Sequence, residues 1–309
     1  MRMEPAVLRN APGWQAELRL RFNGDIPRFL ANGDAPQARA YGRTRIVERS
    51  HRGPLVIQRP FYPEGDPCHV YLVHPPGGVV GGDELRIDAQ VDVGAHALIT
   101  TPAATKFYRC DGRGSSQTQE LRAAGATLEW LPQESIFYRG ADVRTATRVQ
   151  LDADSRFIGW EIACLGLPAR GEHFDAGSLR LDLEIWRVPQ DTEPSPLSAG
   201  SKMGSGPIFI DRLRLTGAAR ARGAAWGLAG QEAVGTLLAT PATRAHVDAI
   251  RELVSDWQYA AVSLVDGVLV LRALAPQAEA VRKLFIAAWQ RLRPQIVGRV
   301  AVLPRIWST

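Results

Sequence analysis

Glycine, proline, a histidine and a carboxylate are concentrated in one run of ten residues, from His74 to Asp83. The run contains two prolines and four glycines, and it lies between two strand-like segments, residues 70–73 and 85–91. Glycine permits backbone conformations that are closed to other residues, and proline fixes φ, so the run has a defined shape and is not a flexible tether. The pattern is typical both of a tight structural turn and of a place where something binds or passes.

Titratable side chains also interrupt several segments that are otherwise apolar. They are Asp83, Glu134, Glu161, Cys164 and Asp211, and His74 begins the glycine-rich run. A carboxylate in an apolar strand must face solvent, find a partner or line a wet cavity, because burying it alone is costly. Two interpretations follow. The acids form structural ion pairs with the many arginines, or they converge from successive strands into a polar channel that can carry a hydrated cation.

The common catalytic templates do not occur in the sequence. It contains no Gly-x-Ser-x-Gly nucleophile motif, no phosphate-binding loop that ends in Gly-Lys-Ser/Thr and no His-Glu-x-x-His zinc motif. Cys68 and His69 are adjacent, so in a strand they point to opposite faces and cannot chelate one ion locally. One enzymatic alternative stays open, a β-solenoid hydrolase with Asp83 and Glu161 as acid and base, since paired carboxylates support such chemistry.

The composition is that of an ordinary soluble globular protein, with 45% apolar and 22% charged residues. No apolar run approaches the ~20 residues that a membrane span requires. Residues 1–16 lack the pattern of a secretory signal. The three cysteines cannot all pair internally, and nothing suggests a disulfide framework. The sequence therefore predicts a reduced, cytoplasmic protein that does not act at a membrane.

The charge balance favours a protein partner over a nucleic acid. The formal net charge is +5, and the arginines are scattered as singlets apart from short clusters such as residues 43–45 and 220–222. Nucleic-acid binding usually needs a denser basic stripe with interleaved aromatic residues. A modest positive surface that faces an acidic protein is the better interpretation.

Strand-like alternation covers residues 15–235, and a weak repeat runs through it. Three dipeptides recur 30 or 31 residues further on: Gly94-Ala95 as Gly125-Ala126, Thr101-Pro102 as Leu131-Pro132, and Phe107-Tyr108 as Phe137-Tyr138. A fainter third copy places Trp160 thirty residues after Trp130. Stacked β-rungs produce this kind of periodicity, because each rung buries its face against its neighbours. We therefore expect a mainly β fold with a β-solenoid-like core of stacked sheets.

The C-terminal part changes character after this core. A helix with Thr240-Pro241 as N-cap and first turn, a hairpin closed at Asp266-Gly267, and a second helix from about Pro276 are expected. Residues 189–207 are rich in Pro, Ser and Gly, which predicts a mobile surface insertion in the β core. We expect one domain over residues 1–309, with the core at about 13–235 and the helical and hairpin part at about 240–309.

Several long motifs resemble the UreD (also called UreH) family of urease accessory proteins. The similarity covers nearly the whole chain, from about Gly13 to Thr309. The motifs are Gly53-Pro54-Leu55, Gln58-Arg59-Pro60-Phe61-Tyr62-Pro63-Glu64, Cys68-His69-Val70-Tyr71-Leu72-Val73-His74-Pro75-Pro76-Gly77-Gly78, Gly81-Gly82-Asp83, Thr105-Lys106-Phe107-Tyr108-Arg109, Leu128-Glu129-Trp130-Leu131-Pro132-Gln133-Glu134, Cys164-Leu165-Gly166 and Leu303-Pro304-Arg305-Ile306-Trp307.

The resemblance implies a scaffold and not an enzyme. Members of this family bind apo-urease and a helical partner, UreF, which recruits the GTPase UreG, and the assembly delivers nickel into the buried urease site. The family fold is mostly β with two C-terminal helices. No tightly bound cofactor is implied, only Ni²⁺ in transit.

The resemblance also implies a passage for nickel. The family is thought to guide the ion through an internal water-filled route lined by carboxylates, and Asp83, Glu161 and Asp211 fall where the family carries such acids. Glu134, Cys164 and His74 are secondary candidates. Asp211 stands where many members have Glu, which shortens the side chain but keeps its charge. For the surface that binds UreF, we expect Arg305, Ile306 and Trp307, since exposed Trp and Arg are typical interface anchors. The other interpretation is that Trp307 packs under a helix.

Overall fold

Two β-sheets form the body of the protein in a computed structural model that describes residues 13–25, 42–189 and 206–308. Strands are numbered in chain order. The seven-stranded sheet has the spatial order β15 (Gly206–Thr216), β14 (Ser178–Arg187), β11 (Asp142–Leu151), β8 (Ser115–Ala123), β5 (Glu84–Val91), β1 (Gln15–Gly24) and β2 (Thr44–Arg52). Its five central strands, from β14 to β1, are parallel, and antiparallel β15 and β2 form its edges.

The second sheet has eleven strands and carries the helices. Its main spatial order is β17 (Ala260–Val265), β18 (Val268–Ala275), β16 (Ala233–Thr240), β12 (Arg156–Leu167), β9 (Thr127–Leu131), β6 (His96–Thr100), β4 (Cys68–Val73) and β3 (Val56–Ile57). Three short strands join it beside β12, namely β10 (Ser135–Phe137), β7 (Thr105–Phe107) and β13 (Glu172–His173). The α-helices are α1 (Arg244–Leu253) and α2 (Ala278–Ile296), and 3₁₀ turns cover Pro168–Arg170, Arg220–Arg222 and Arg305–Ser308.

The thirty-residue repeat corresponds to stacked rungs that alternate between the two sheets. Strands β5, β6 and β7 lie in parallel register on β8, β9 and β10, and β11 and β12 continue the stack. Equivalent side chains therefore meet. The rings of Phe107 and Phe137 stack with centroids 5.0 Å apart, and those of Tyr108 and Tyr138 lie 4.8 Å apart. The predicted mainly β fold of stacked sheets is confirmed.

The third copy of the repeat is displaced by one residue from its predicted position. Trp130 of β9 pairs with Gly159 of β12, not with Trp160. Successive side chains of a strand point to opposite faces, so this shift sends the two tryptophans to different cores. Trp130 packs between the sheets, whereas Trp160 packs on the other face of the eleven-stranded sheet, among the helix residues.

The C-terminal elements cover that outer face. The apolar stripe of α2 packs on strands β12, β16 and β18. The first helix begins later than predicted, with Thr243 as N-cap and its backbone N–H donating to Nδ1 of His246 at 2.9 Å. Thr240 is not the N-cap because it still belongs to strand β16, where it pairs with Phe157. The hairpin is as predicted, with Val265 opposite Val268 and Asp266-Gly267 between them at φ of 47° and 75°.

The predicted mobile insertion at 189–207 lies outside the described residues for its whole central part, 190–205. Within the described ranges, neither helix has the length and apolar character needed to cross a lipid bilayer.

Candidate functional site: a polar cavity between the sheets

A cavity of about 770 Å³ lies between the two sheets. Its apolar wall is ordinary core, with Leu and Ile side chains from β5 and β14. The polar part of the wall comes from two neighbouring strands, β8 and β11. Gln117 and Gln119 of β8 and Thr145 of β11 occupy inward positions that are apolar in the other strands of the stack.

Glu161 of β12 faces this cavity. The Thr147 hydroxyl lies within hydrogen-bond distance of the Glu161 carboxyl and, at 2.9 Å, of Oε1 of Gln119. Burial raises the pKa of Glu161 to about 7, the Thr147 hydrogen bond opposes the rise, and the carboxylates of Asp211 and Asp182 add to it. A hydroxyl has one proton to donate. Thr147 can therefore donate to an ionised Glu161, which opposes the rise in pKa, or to Gln119 while a protonated Glu161 donates to the Thr147 oxygen.

Asp211 enters the cavity from the other sheet. It lies on β15 opposite Leu183, on the inward face of the seven-stranded sheet. Its Oδ2 accepts a hydrogen bond from the Thr236 hydroxyl at 3.1 Å and lies 3.2 Å from Nη2 of Arg272. Asp211 is thus charge-paired and fixed in position, whereas Glu161 has no cationic partner among the described residues.

Asp83 is placed apart from these two acids. Its side chain is buried and is not part of the cavity wall. Oδ1 accepts the backbone N–H of Trp14 at 2.8 Å, and Oδ2 accepts that of Val80 at 2.9 Å. The carboxylate therefore holds the glycine-rich turn in shape and ties it to the beginning of β1. The turn itself has Gly77 and Gly82 at φ of 72° and 91°, as a run of this composition predicts.

Of the three secondary candidates, one lines the cavity and two lie outside its wall. His74 lines the cavity, and burial lowers its pKa while the Asp83 charge opposes that shift. Glu134 and Cys164 do not line the cavity wall. Oε2 of Glu134 is buried and has no hydrogen-bond partner among the residues that the structure describes. Burial raises the pKa of the Cys164 thiol to about 11, and the Glu134 charge adds to the rise. A neutral thiol is a poor metal ligand, since the thiolate is the form that binds.

Two cations also line the cavity, Lys106 of β7 and Arg272 of β18, and Arg272 is the one that the sequence did not single out. The signal for the polar wall was present in the sequence, as Gln117 and Gln119 alternate with the period of a strand. Over the ranges that the structure describes, no three His, Cys, Asp or Glu side chains come together closely enough to hold a metal ion. The carboxylates of the cavity therefore stand singly among hydroxyl, amide and cationic groups.

The geometry does not support the hydrolase alternative. Acid–base hydrolysis with two carboxylates requires both of them beside one substrate bond. Glu161 faces the cavity, but both oxygens of Asp83 are engaged by backbone donors away from it. The proposed acid–base pair is not assembled.

The predicted interface residues differ in exposure. Trp307 is not an exposed anchor, because its Nε1 donates to the Thr100 hydroxyl at 2.9 Å and its ring lies 5.9 Å from the rings of both Trp160 and Trp289. Ile306 is half-buried and Arg305 is exposed. The second interpretation of Trp307, packing under a helix, describes the structure.

The fold and the cavity together define a protein of stacked β-rungs whose apolar interior contains a cavity with polar groups in its wall. The model of the UreD urease accessory protein family matches residues 31–308. The chain is 42% identical to the urease accessory protein UreD of Klebsiella aerogenes over 96% of this chain and 97% of that protein. It is 41% identical to the urease accessory protein UreD of Alkalilimnicola ehrlichii over 99% of this chain and 95% of that protein. It is 39% identical to UreD of Pseudomonas putida over 96% of this chain and 95% of that protein. The chain belongs to the UreD family, and its role is an accessory one in urease maturation.

Proposed function

We propose that this chain is a non-catalytic cytoplasmic scaffold that binds apo-urease and UreF, which recruits UreG, and that it leads Ni²⁺ to urease through the cavity. The observation that carries the proposal is that Glu161 and Asp211, from different sheets, line one cavity of about 770 Å³. Acidic side chains from separate strands around a common space are what a cation route requires.

The donor set suits transit better than storage. Nickel(II) accepts oxygen and nitrogen ligands, and a conduit must bind its ion weakly enough to release it. Single carboxylates with hydroxyl and amide neighbours give such weak binding, and the Arg272 charge beside Asp211 weakens it further. Nickel is cargo here, and His74 at the same wall is a further nitrogen donor on the route.

The nickel content of urease tests the passage. We expect Glu161→Ala and Asp211→Ala, each co-expressed with urease and the other maturation proteins, to lower the nickel bound per urease while the scaffold complex still forms. Glu279→Ala, an exposed acid of α2, is the matched control and should change neither quantity. Normal nickel loading in both cavity variants would show that the ion takes another route.

The proposed UreF surface centres on the exposed part of the C-terminal segment. Arg305 is exposed, and the preceding stretch exposes Val300, Val302 and Leu303 by 77%, 36% and 45%. Apolar side chains exposed together are typical of interaction sites. We expect Val300→Asp with Arg305→Glu to abolish co-purification with UreF. Val47→Asp, an exposed valine on β2, is the control and should leave it intact. Full retention of UreF by the double variant would place its binding surface elsewhere.

A further inference from the structure

Three arginines stand side by side on the outer face of the seven-stranded sheet. Arg144 of β11 is the cross-strand neighbour of Arg180 of β14, which is the neighbour of Arg214 of β15. All three side chains are exposed or half-exposed. Adjacent strands lie about 4.8 Å apart, so the row is about 10 Å long. Like charges directly opposite one another destabilise a sheet, so this arrangement works against the stability of the isolated chain.

The row is incompletely neutralised. One carboxylate, Asp182, lies 3.9 Å from Arg144 and 2.9 Å from Arg214, and it also faces Arg212 at 3.7 Å. Arg180 forms no ion pair with any carboxylate in the described ranges.

Two other arginines of the same sheet face have acidic partners of their own. Arg148 pairs with Glu184 at 3.2 Å, and Arg86 pairs with Asp88 at 3.1 Å. The row differs from these pairs because a single carboxylate, Asp182, serves Arg144 and Arg214 together.

A groove of about 510 Å³ runs beside the row. Its wall includes the three arginines, Ser178, Thr216 and Ala219. Asp142, the acid that the described residues contribute to the wall, already accepts a hydrogen bond from the Ser178 hydroxyl. The loop that begins after β15 contributes Ala219 to the groove and, further along, carries Trp226 with 75% of its surface exposed. Arginine and tryptophan are the residues most enriched at the energetic centres of protein interfaces.

We propose that the row of Arg144, Arg180 and Arg214, here named the arginine row, docks the acidic face of an α-helix of a partner in urease maturation. The inference rests on the proposed scaffold function. Along a helix, side chains three or four residues apart are about 4.5–6 Å apart in rise, which matches the strand spacing of about 4.8 Å. A helix that crosses the strands can therefore place one carboxylate opposite each arginine.

Charge reversal at Arg180 tests the surface in the assembled complex. Within the part of the chain that the structure describes, Arg180 has no ion-pair partner to lose, so Arg180→Glu should fold normally. We expect it to weaken retention of at least one co-expressed maturation protein by about tenfold at low salt. Arg180→Lys should retain that protein. Arg52→Glu is the matched control, because Arg52 is also exposed and without an ion pair in the described ranges, at the opposite edge of the same sheet. It should bind as the natural chain does.

The outcomes separate the two proposals. If the natural chain retains no maturation protein, the scaffold function fails. If it retains them and Arg180→Glu retains them equally well, the scaffold function stands and the arginine row is overturned. Equal losses in Arg180→Glu and Arg52→Glu would show a general charge effect and also overturn it.

A defined probe tests the chemistry of the occupant. We expect a helical alanine-rich peptide of about 18 residues, with glutamates on one face, to bind the full chain and to bind Arg180→Glu about tenfold more weakly. A peptide of the same composition with its glutamates spread around the helix should bind weakly to both. Equal binding of the two peptides, or tighter binding of a poly-uridylate RNA, would overturn the acidic helix as the occupant.

Discussion

The Arg293 guanidinium of α2 and the Glu129 carboxylate of β9 form an ion pair at 3.0 Å, and both side chains are 0% exposed. Glu129 also accepts the indole N–H of Trp289 at 2.6 Å and lies 2.6 Å from Nε2 of His96. Arg293 reaches a second acid, Glu64, at 2.7 Å. This buried cluster attaches the long helix to the middle of the eleven-stranded sheet and to the segment before β4.

Removing one member of this pair should destabilise the protein strongly. Glu129→Ala leaves the Arg293 charge buried with one acid fewer, and breaking a buried pair in this way costs about 3–5 kcal/mol. Urea unfolding should show that loss. Glu279→Ala removes an exposed acid on the same helix, 2.8 Å from Lys283, and should change the free energy of unfolding by less than about 0.5 kcal/mol. Equal effects of the two substitutions would contradict the role of the buried pair.

Asp83 should contribute to stability and not to nickel transfer. Asp83→Ala leaves the backbone N–H groups of Trp14 and Val80 without their acceptor, at a cost of about 1–3 kcal/mol. Glu161→Ala removes no such backbone support. We therefore expect thermal unfolding to separate the two variants, with only Asp83→Ala melting earlier. Nickel per urease, counted for folded scaffold, should fall only in Glu161→Ala. A nickel deficit in a fully stable Asp83→Ala protein would return Asp83 to the passage.

The sequence predicted the stacked architecture because the repeat is a local property of each rung. Phe107 and Phe137 occupy the same place in successive rungs, and such spacing is visible without coordinates. The shift at Trp160 was not predictable in the same way. A difference of one residue between rungs is small in sequence, yet it reverses the face on which a side chain lies.

The site was predictable in part, for a different reason. Acids in apolar strands could be found from the pattern, but their partners could not, since these come from distant parts of the chain. Asp211 pairs with Arg272, 61 residues later. Asp83 bonds the backbone of Trp14, 69 residues earlier, and backbone donors leave no mark in a sequence. Trp307 was ambiguous for the same reason, because its neighbours Thr100, Trp160 and Trp289 are remote.

Trp307 should contribute to the stability of the fold, and Arg305 should contribute to the binding of UreF. Trp307→Ala removes a partly buried ring that packs on two other tryptophans, and this loss should cost up to about 3 kcal/mol, the lower end for a fully buried aromatic side chain. Arg305→Ala removes an exposed side chain and should leave urea unfolding unchanged. Co-purification with UreF, measured below the melting temperature of each variant, should decrease for Arg305→Ala only. A stable Trp307→Ala protein would show that the C-terminal turn is not part of the core.

Glu161 should make both stability and nickel binding depend on pH. The pKa of this carboxyl rises from 4.5 to about 7 in the folded chain, and burial is the main cause of the rise. Between these values the folded state holds a proton that the unfolded state has lost, so the stability contribution is greatest at low pH and is lost as pH rises through about 7. Relative to Glu161→Gln, the natural chain should therefore lose thermal stability from about pH 5 to about pH 8.

Nickel must displace the same proton. At a pH well below 7, Ni²⁺ binding to the natural chain should release up to about one proton per ion, because the cation stabilises the charged carboxylate. Above about pH 8 the release should vanish, since Glu161 is then already ionised. Calorimetry in buffers of different ionisation enthalpy measures this number directly. Glu161→Gln should abolish the release, and the exposed Glu84→Gln should leave it unchanged. Proton release that persists in Glu161→Gln would assign the nickel-linked group to another residue of the cavity, with His74 the first to examine because it lines the same wall.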